Sequence, residues 1–222
     1  MTPAEGRDDR RTDATGGSRT PTEGQTQIPT TSPGETLQRT IEWFQDQGAI
    51  ASLGIACFGP VDLDTASLRK VIDLNYLGTV LPIKALLPLM LKNGHGNILN
   101  ISSMAATRPM TRVMGYASAK AAIDNLTKWL SVELAHKHGP NFRVNAIAPG
   151  FFLTEQNRTL LTEADGSLTQ RGNQIITHTP MNRFGKPEDL LGALQWLCSD
   201  ASAFVTGTIV AVDGGFSAYS GV

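Results

Sequence analysis

Large apolar residues are distributed unevenly along the chain. Between Thr2 and Thr36 only Ile28 has a large aliphatic or aromatic side chain, and most other positions are Thr, Gly, Pro, Ser or charged residues. A segment with so little apolar surface cannot offset the conformational entropy that ordering costs. The pattern therefore predicts a disordered tail over residues 1–31.

Order is predicted to begin with a helix near Ser32. Ser32 and Glu35 have the spacing of a capping box, and Pro33 suits the first position of a helix. Apolar residues then recur at helical spacing, at Leu37, Ile41 and Phe44. A short apolar run over residues 53–58 predicts a buried strand, so residues 32–65 are expected to form one helix followed by one strand.

From residue 66 onward, helical and strand patterns alternate. Helices are predicted over residues 68–92, 116–137 and 188–198, and short strands over 97–101, 143–148 and 208–212. Strands that alternate with helices indicate a parallel sheet covered on both faces. The fold class expected for residues 66–222 is α/β, with a doubly wound, Rossmann-like parallel sheet.

Composition excludes some classes of function. A formal net charge of −1 gives no basic surface for nucleic acid or an anionic membrane. No uninterrupted apolar stretch reaches the ~20 residues that cross a bilayer, because prolines and a lysine interrupt residues 76–91, and no export signal is apparent. A cytoplasmic location is expected. Cys57 and Cys198 are expected to be buried, unpaired thiols, and neither they nor the histidines have metal-site spacing.

The main chemical signal is a serine, a tyrosine and a lysine that follow one predicted strand. Ser103 lies just beyond the carboxyl end of that strand, where open α/β sheets bind ligands. Tyr116 and Lys120 share one face of the next helix. A lysine cation is expected to lower the tyrosine pKa from ~10, and Ser103 could hold a substrate oxygen while Tyr116 transfers a proton. Such a site suits the interconversion of an alcohol and a carbonyl.

Two of these signals have alternative interpretations. A tyrosine four residues before a lysine is, taken alone, most often an ordinary solvated pair; here it follows a strand that ends in Ser102-Ser103. Asn75 interrupts an apolar helix where a leucine would fit. It is either a core amide with satisfied hydrogen bonds or a functional residue.

Several motifs together carry a family resemblance. In chain order they are Asp73-Leu74-Asn75, Asn100-Ile101-Ser102-Ser103, Tyr116-Ala117-Ser118-Ala119-Lys120, Arg143-Val144-Asn145-Ala146-Ile147-Ala148-Pro149-Gly150 and Val212-Asp213-Gly214-Gly215. With them, residues 66–222 resemble the carboxyl-terminal two-thirds of a short-chain dehydrogenase/reductase. The resemblance implies Tyr116 as general acid and base and as a cofactor contact. It implies Lys120 as the residue that lowers the pKa of Tyr116 and binds the nicotinamide ribose. It implies Ser103 for orienting the substrate oxygen and Asn75 for a proton relay through water.

The same resemblance implies a cofactor and a substrate class. Pro149, Gly150 and Thr154 would contact the nicotinamide end of NAD or NADP. The stretches 148–158 and 213–222 look most like reductases of sugar acids, of the D-mannonate oxidoreductase type, which interconverts fructuronate and mannonate. An arginine is the side chain suited to bind a carboxylate in two-pronged fashion; the candidates are Arg108, Arg112 and Arg158.

The amino-terminal part of the family has no counterpart here. A full member begins with a strand, a glycine-rich turn and a helix that holds the cofactor pyrophosphate, and no glycine cluster of this chain has that context. The dehydrogenase-like region is therefore predicted to be truncated at its amino terminus, with weakened binding of NAD or NADP. Residues 28–64 instead resemble a fragment of a fructokinase-type sugar kinase.

Two functions of different classes follow. The first is an NAD(P)-dependent oxidoreductase acting on a small-molecule substrate. The alternative is a catalytically dead fusion or truncated product that only associates with itself. The family commonly pairs subunits through the helices that correspond to residues 68–92 and 116–137, so a homo-oligomer is expected in both cases.

Overall fold

The structure, a computed structural model, describes residue 28 and residues 32–46, 52–55 and 65–222. Apart from Ile28, the tail predicted to be disordered lies outside the described residues. So do Cys57 and the second half of the strand predicted over residues 53–58.

The elements alternate as the sequence predicts. Within the described ranges the helices are α1 (Pro33–Asp46), α2 (Thr65–Ile72), α3 (Gly78–Asn93), α4 (Met114–His138), α5 (Arg158–Leu161), α6 (Gln170–His178) and α7 (Leu191–Cys198). A π-helical turn, Asp73–Leu77, connects α2 to α3, and 3-10 turns occur at Met104–Ala106, Pro187–Leu190 and Asp200–Ser202. The strands are β1 (Ser52–Ile55), β2 (Gly96–Ile101), β3 (Phe142–Pro149) and β4 (Ile209–Val212).

The four described strands form one parallel sheet in the order β1-β2-β3-β4. Side chains alternate between its two faces. Ile98 and Val144 pack against α3 and α4 on one face, whereas Leu99 and Ile147 pack against Leu197 of α7 on the other. Helices therefore cover both faces of a parallel sheet, and the predicted Rossmann-like α/β class is confirmed.

Helix α1 begins as its sequence predicts. The Ser32 hydroxyl oxygen accepts a hydrogen bond from the Glu35 backbone N–H at 3.3 Å, and the same hydroxyl donates to the Glu35 carboxylate at 3.2 Å. Ile41 and Phe44 then pack on the core cluster beside α3. Both the capping residues and the apolar repeat therefore act as expected.

The long apolar helix predicted over residues 68–92 is divided in the structure, because the π-helical turn Asp73–Leu77 lies between α2 and α3. Pro82 and Pro88 lie inside α3 without ending it, since each proline removes one backbone donor and a packed helix tolerates that loss. Residues 68–93 contain an 18-residue window of mean hydropathy 1.4, which is long and apolar enough to cross a membrane by length and composition alone, and 28% of that window is buried. A core helix passes the same test, and here Leu86 and Met90 are fully buried against the sheet.

Two further expectations were wrong. Cys198 is exposed rather than buried, because α7 turns Leu197 toward the sheet and the next side chain points away from it. Helix α6 was not anticipated, because its sequence is mostly polar. It is stabilised at its start by the Thr169 hydroxyl, which accepts from the Gly172 N–H at 3.0 Å.

Candidate active site

Three parallel strands end at the same edge of the sheet, and each is followed by residues of the candidate site. Ser103 follows β2, Gly150 follows β3 and Asp213 follows β4. Pro149 is in register with Val212, and the Gly150 N–H donates to the Val212 carbonyl at 3.0 Å. This carboxyl edge is where open α/β sheets bind ligands.

The two adjacent serines, Ser102 and Ser103, have different hydrogen-bond partners. Ser103 has extended backbone and starts a 3-10 turn, its Oγ accepting from the Ala105 N–H at 3.2 Å. A side-chain hydrogen bond also links Ser103 to Tyr116. The Ser102 hydroxyl instead donates to the Asp124 carboxylate on α4. Only Ser103 of the two is therefore joined to the tyrosine.

Tyr116 and Lys120 lie one turn apart near the start of α4. Lys120 is fully buried, and its Nζ donates to the Ile101 carbonyl at the end of β2 at 2.9 Å. The same Nζ lies 5.5 Å from the centre of the Tyr116 ring. A buried ammonium is stable only with such partners, so the backbone of β2 fixes the cation beside the phenol. Ser103, Tyr116 and Lys120 are thus brought together.

Burial raises the pKa of Tyr116 above its ordinary value of 10.0, and the hydrogen bond with Ser103 opposes this effect. The sequence-based expectation of a pKa lowered by Lys120 is therefore wrong in direction. Desolvation penalises the charged phenolate more than the surrounding groups stabilise it. The phenol is consequently neutral at neutral pH, which is the form that donates a proton to a carbonyl oxygen.

Asn75 lies in the π-helical turn between α2 and α3 and is fully buried. Its Nδ2 donates to the Val71 carbonyl at 2.9 Å, within its own helix. Its Oδ1 has no hydrogen-bond partner among the residues that the structure describes. Asn75 is therefore not a fully satisfied core amide, and π-helical turns often mark functional positions.

Two polar residues of α4 that sequence reasoning missed tie this helix to the end of β2. The Thr127 hydroxyl accepts from Asn100 Nδ2 at 2.9 Å and donates to the Ile123 carbonyl at 2.8 Å. Asp124 accepts from Ser102, and burial raises its pKa. Both lie on the helix face that already carries Lys120, and that spacing was the available signal.

Of the three residues expected beside the nicotinamide, Pro149 is the last residue of β3, and Gly150 and Thr154 follow that strand. Gly150 has no room for a side chain, since a Cβ there would lie 2.7 Å from the Asp213 Cα. Thr154 is exposed, and its N–H donates to Asn157 Oδ1 at 2.8 Å. Asn157 also donates to the Phe152 carbonyl at 2.8 Å. Sequence reasoning missed Asn157, which holds the loop that carries Thr154.

The three candidate arginines have different surroundings. Arg108 donates through Nε to the Ser217 carbonyl at 2.8 Å. Arg158 forms an exposed ion pair with Glu155, with 2.9 Å between Nη2 and Oε1. Arg112 is exposed and has a positive φ of 68°. The structure therefore does not gather the three into one carboxylate-binding cluster.

Comparison with known proteins decides the family. A family model described as enoyl-(acyl carrier protein) reductase matches residues 35–217. The chain belongs to the short-chain dehydrogenase/reductase family. This family match begins within α1, and so it covers most of the segment for which the sequence suggests a sugar-kinase fragment; that second resemblance stays a prediction.

Individual short-chain dehydrogenases resemble this chain closely. It is 51% identical over 162 residues to the uncharacterized oxidoreductase UxuB of Bacillus subtilis (strain 168), which covers 72% of this chain and 57% of that protein. The chain thus spans less than two thirds of the length of this relative.

Solved structures of the family have the same fold. One, from Haemophilus influenzae and provisionally assigned as a D-mannonate oxidoreductase, contains NAD; it is 42% identical, with a TM-score of 0.75 over 85% of this chain and 75% of its own. Another is a 7α-hydroxysteroid dehydrogenase complexed with NADH and 7-oxo glycochenodeoxycholic acid. It is 33% identical, with a TM-score of 0.73 over 82% of this chain and 69% of its own.

The residues present suit the nicotinamide end of a dinucleotide. Asn75 keeps a buried acceptor without a partner among the described residues. Lys120 offers a buried cation beside Tyr116, and Gly150 brings bare backbone to the same edge of the sheet. A hydroxyl-rich ribose and a carboxamide are the kinds of group that such donors and acceptors bind.

Proposed function

We propose that this chain is an NAD(P)-dependent oxidoreductase that interconverts a secondary alcohol and a carbonyl. The observation that carries the proposal is the hydrogen bond between Ser103 and Tyr116, next to a fully buried Lys120. Two hydroxyls that share a hydrogen bond can both reach one substrate oxygen. The cation beside them favours the phenolate that forms when the proton is given up.

Each residue then has a defined part in carbonyl reduction. Ser103 donates a hydrogen bond to the carbonyl oxygen and holds it against Tyr116. The Tyr116 hydroxyl gives its proton to that oxygen as negative charge develops on it, and in alcohol oxidation the phenolate takes the proton back. Bound NAD(P)H supplies the hydride. Lys120 stabilises the phenolate and would hold the nicotinamide ribose, with Pro149, Gly150 and Thr154 beside the nicotinamide.

Asn75 completes the proposal as a relay residue. Its buried Oδ1 can accept a hydrogen bond from a water molecule, because no other partner lies among the described residues. A water held there would link Lys120 to solvent through hydrogen bonds. A proton passed along these bonds would restore the hydroxyl of Tyr116 after it has given up its own proton. Buried waters of this kind bind unsatisfied polar groups.

The substrate proposed is a sugar acid such as fructuronate or mannonate. Support comes from the similarity to the Haemophilus influenzae protein that is provisionally assigned as a D-mannonate oxidoreductase. The resemblance of residues 148–158 to reductases of sugar acids also supports a sugar-acid substrate. The steroid dehydrogenase with the same fold is the contrasting case, and its substrate class serves as the comparator in the test. We place this activity in the cytoplasm.

The test begins with the cofactor. Purified chain is titrated with NADH and with NADPH by fluorescence. It is then assayed with NAD+ and with NADP+ as hydride acceptor for oxidation of D-mannonate and of a 7α-hydroxysteroid. Binding of either cofactor with turnover of mannonate alone is the expected result. Absence of binding at millimolar cofactor would end the proposal, and turnover of the steroid alone would overturn the substrate class.

Exposed apolar side chains on two helices favour a homo-oligomer. They are spread over the outer faces of the helices at residues 72–81 and 129–132: Leu74, Leu77, Leu81, Trp129 and Val132 are each at least 39% exposed. Large apolar side chains exposed in this way are typical of surfaces that associate, and the occupant proposed is a second copy of this chain. Size-exclusion chromatography tests it, since a sharp monomer peak at high concentration contradicts the interface.

Self-association through this surface is also expected of the alternative, a catalytically dead product, so association and cofactor binding must be measured together. A chain that associates but binds neither NADH nor NADPH would be the dead product that only self-associates. A chain that associates and turns over mannonate would be an oligomeric enzyme. The two measurements together therefore separate the alternatives.

A further inference from the structure

The residues that follow β4 form a tightly bonded segment over positions 213–219. The Asp213 carboxylate accepts from the backbone N–H groups of Gly215 and Ser217, both at 2.9 Å. Gly214 and Gly215 have positive φ values of 65° and 89°, which glycine adopts without strain. The 213–219 segment is therefore anchored to the end of β4 at its first residue.

A second anchor comes from the loop after the proposed catalytic serine. Arg108 lies five residues beyond Ser103, and its backbone N–H donates to the Met104 carbonyl at 3.0 Å. Its side chain donates through both Nε and Nη2 to the Ser217 carbonyl, the Nε bond measuring 2.8 Å. One guanidinium thus joins the loop that follows Ser103 to the middle of the 213–219 segment, across 109 positions of sequence.

Aromatic contacts attach the same segment to the loop after β3. Phe216 packs edge-on against Phe151, with ring centres 5.3 Å apart. Phe151 directly follows Gly150. His178, at the end of α6, packs against both Phe216 at 4.7 Å and Tyr219 at 5.1 Å. The 213–219 segment therefore reaches from the Ser103 side of the carboxyl edge to the Gly150 side.

We propose that Arg108 is a positioning residue that holds the 213–219 segment across the substrate side of the active site, where the segment forms one wall of the substrate pocket. This inference rests on the proposed function, because the wall bounds a substrate pocket only if Ser103 and Tyr116 act on a substrate. It gives Arg108 a role different from the carboxylate ligand that the sequence suggests, since Nε and Nη2 both donate to a backbone carbonyl.

The structure offers a matched pair of variants. Arg108→Met removes both donors while keeping a long unbranched side chain, and Arg108→Lys keeps the charge with a single point donor. Ser217→Ala is the control, because Arg108 binds the backbone carbonyl and not the serine hydroxyl. Since Arg108 is exposed, all three variants are expected to fold, and a thermal transition checks this.

Hydrogen exchange followed by mass spectrometry is the readout independent of activity. Peptides covering residues 214–219 should exchange about tenfold faster in Arg108→Met than in the natural chain, as for the loss of a charge-assisted hydrogen bond. Arg108→Lys should give an intermediate rate, and Ser217→Ala no change. Unchanged exchange in Arg108→Met, or an equal increase in Ser217→Ala, overturns the proposal.

Kinetics then separate this inference from the proposed function. Arg108→Met should raise the KM for the carbonyl substrate about tenfold, with kcat changed less than about threefold and NADH affinity unchanged, because a displaced wall weakens substrate binding only. A fall in NADH affinity or in kcat alone would overturn the assignment to substrate. If the natural chain binds no NADH, the proposed function and the wall of its pocket fail, while the exchange experiment still decides whether Arg108 orders the segment.

Discussion

The carboxyl edge of the sheet has two regions that use the same kinds of hydrogen bond in different surroundings. In the buried region, Ser102, Ser103, Lys120 and Thr127 are each at most 8% exposed and bond to one another's elements. In the exposed region, residues 183–189 form their side-chain hydrogen bonds in contact with water, whereas the Asp213 bonds of the 213–219 segment are partly buried. A lost bond leaves an unsatisfied group in the first region and a hydrated group in the second. Catalytic activity and stability are therefore expected to depend on the buried region. The exposed region is expected to tolerate the loss of a hydrogen bond with little change in either.

The largest effect expected of this contrast is on activity. Tyr116→Phe removes the proton donor from the buried region while keeping the ring, and should lower kcat by about a hundredfold to ten-thousandfold. NADH affinity should change little. The measurement is steady-state turnover of the carbonyl substrate together with a fluorescence titration of NADH.

Tyr76→Phe is the matched control for that experiment. Tyr76 is a half-buried phenol on the neighbouring π-helical turn, and removing its hydroxyl should leave kcat within about twofold. Equal losses in the two variants would contradict the assignment of proton transfer to Tyr116, because the loss would then follow from any missing phenol.

The next effect is on stability. Thr127→Val keeps the shape of the side chain but leaves Asn100 Nδ2 without its partner in the fully buried region. The free energy of unfolding should fall by about 1–3 kcal/mol. Urea unfolding followed by circular dichroism measures it.

A half-buried threonine whose hydrogen bond is exposed provides the comparison. The Thr162 hydroxyl donates to the Arg158 carbonyl at 2.9 Å, the same four-residue geometry as Thr127 with Ile123. Because water replaces the lost bond there, Thr162→Val should change the free energy of unfolding by less than about 0.5 kcal/mol. Equal losses at both positions would remove the distinction between the buried and exposed regions.

Local sequence patterns predict the elements that carry the buried region of the site. The strand before Ser103 and the helix that carries Tyr116 and Lys120 could be predicted, because apolar periodicity and i,i+4 spacing are local properties. The order of residues in these motifs also predicts which side chains meet at one edge of a parallel sheet. For the same reason the Rossmann-like class was predictable from alternating helices and strands.

What could not be predicted depends on distant neighbours. The bond from Asn100 to Thr127 and the bonds from Arg108 to Ser217 join positions 27 and 109 residues apart, and no local pattern encodes such pairs. The direction of the Tyr116 pKa was misjudged because burial, which outweighs the hydrogen bond from Ser103, is a tertiary property. Helix α6 escaped detection because its polar sequence lacks an apolar stripe.

A smaller effect concerns pH and the carboxylate of the buried region. Burial raises the pKa of Asp124 above its ordinary 3.8, so the folded state holds this proton more tightly than the unfolded state. The resulting stability is present below pH 3.8 and is lost as the pH rises toward the folded-state pKa. Asp124→Asn has no such proton, so its stability relative to the natural chain should increase as the pH rises through this window.

Asp165→Asn tests the sign of that prediction. Hydrogen bonds from Ser167 lower the pKa of Asp165, so the folded state favours its ionised form, and the relative stability of this variant should decrease with rising pH over the acid range. Urea unfolding at several pH values measures both trends. A pH-independent difference for Asp124→Asn, or the same slope for both variants, would contradict the assignment.

The smallest effect is expected at the exposed ion pair between Arg183 and Asp189. Arg183 Nη1 lies 2.6 Å from Asp189 Oδ2, and this guanidinium, followed by the Lys186 N–H, lowers the pKa of Asp189 to about 2. The contribution of the pair is present above the ordinary value of 3.8 and is lost as the pH falls through about 2. Asp189→Asn should therefore shift the urea midpoint slightly at neutral pH and by less at pH 2, and salt should shrink the shift. A shift as large as that of Thr127→Val, or one that is undiminished at pH 2, would contradict this expectation, and the contrast between the two regions would fail.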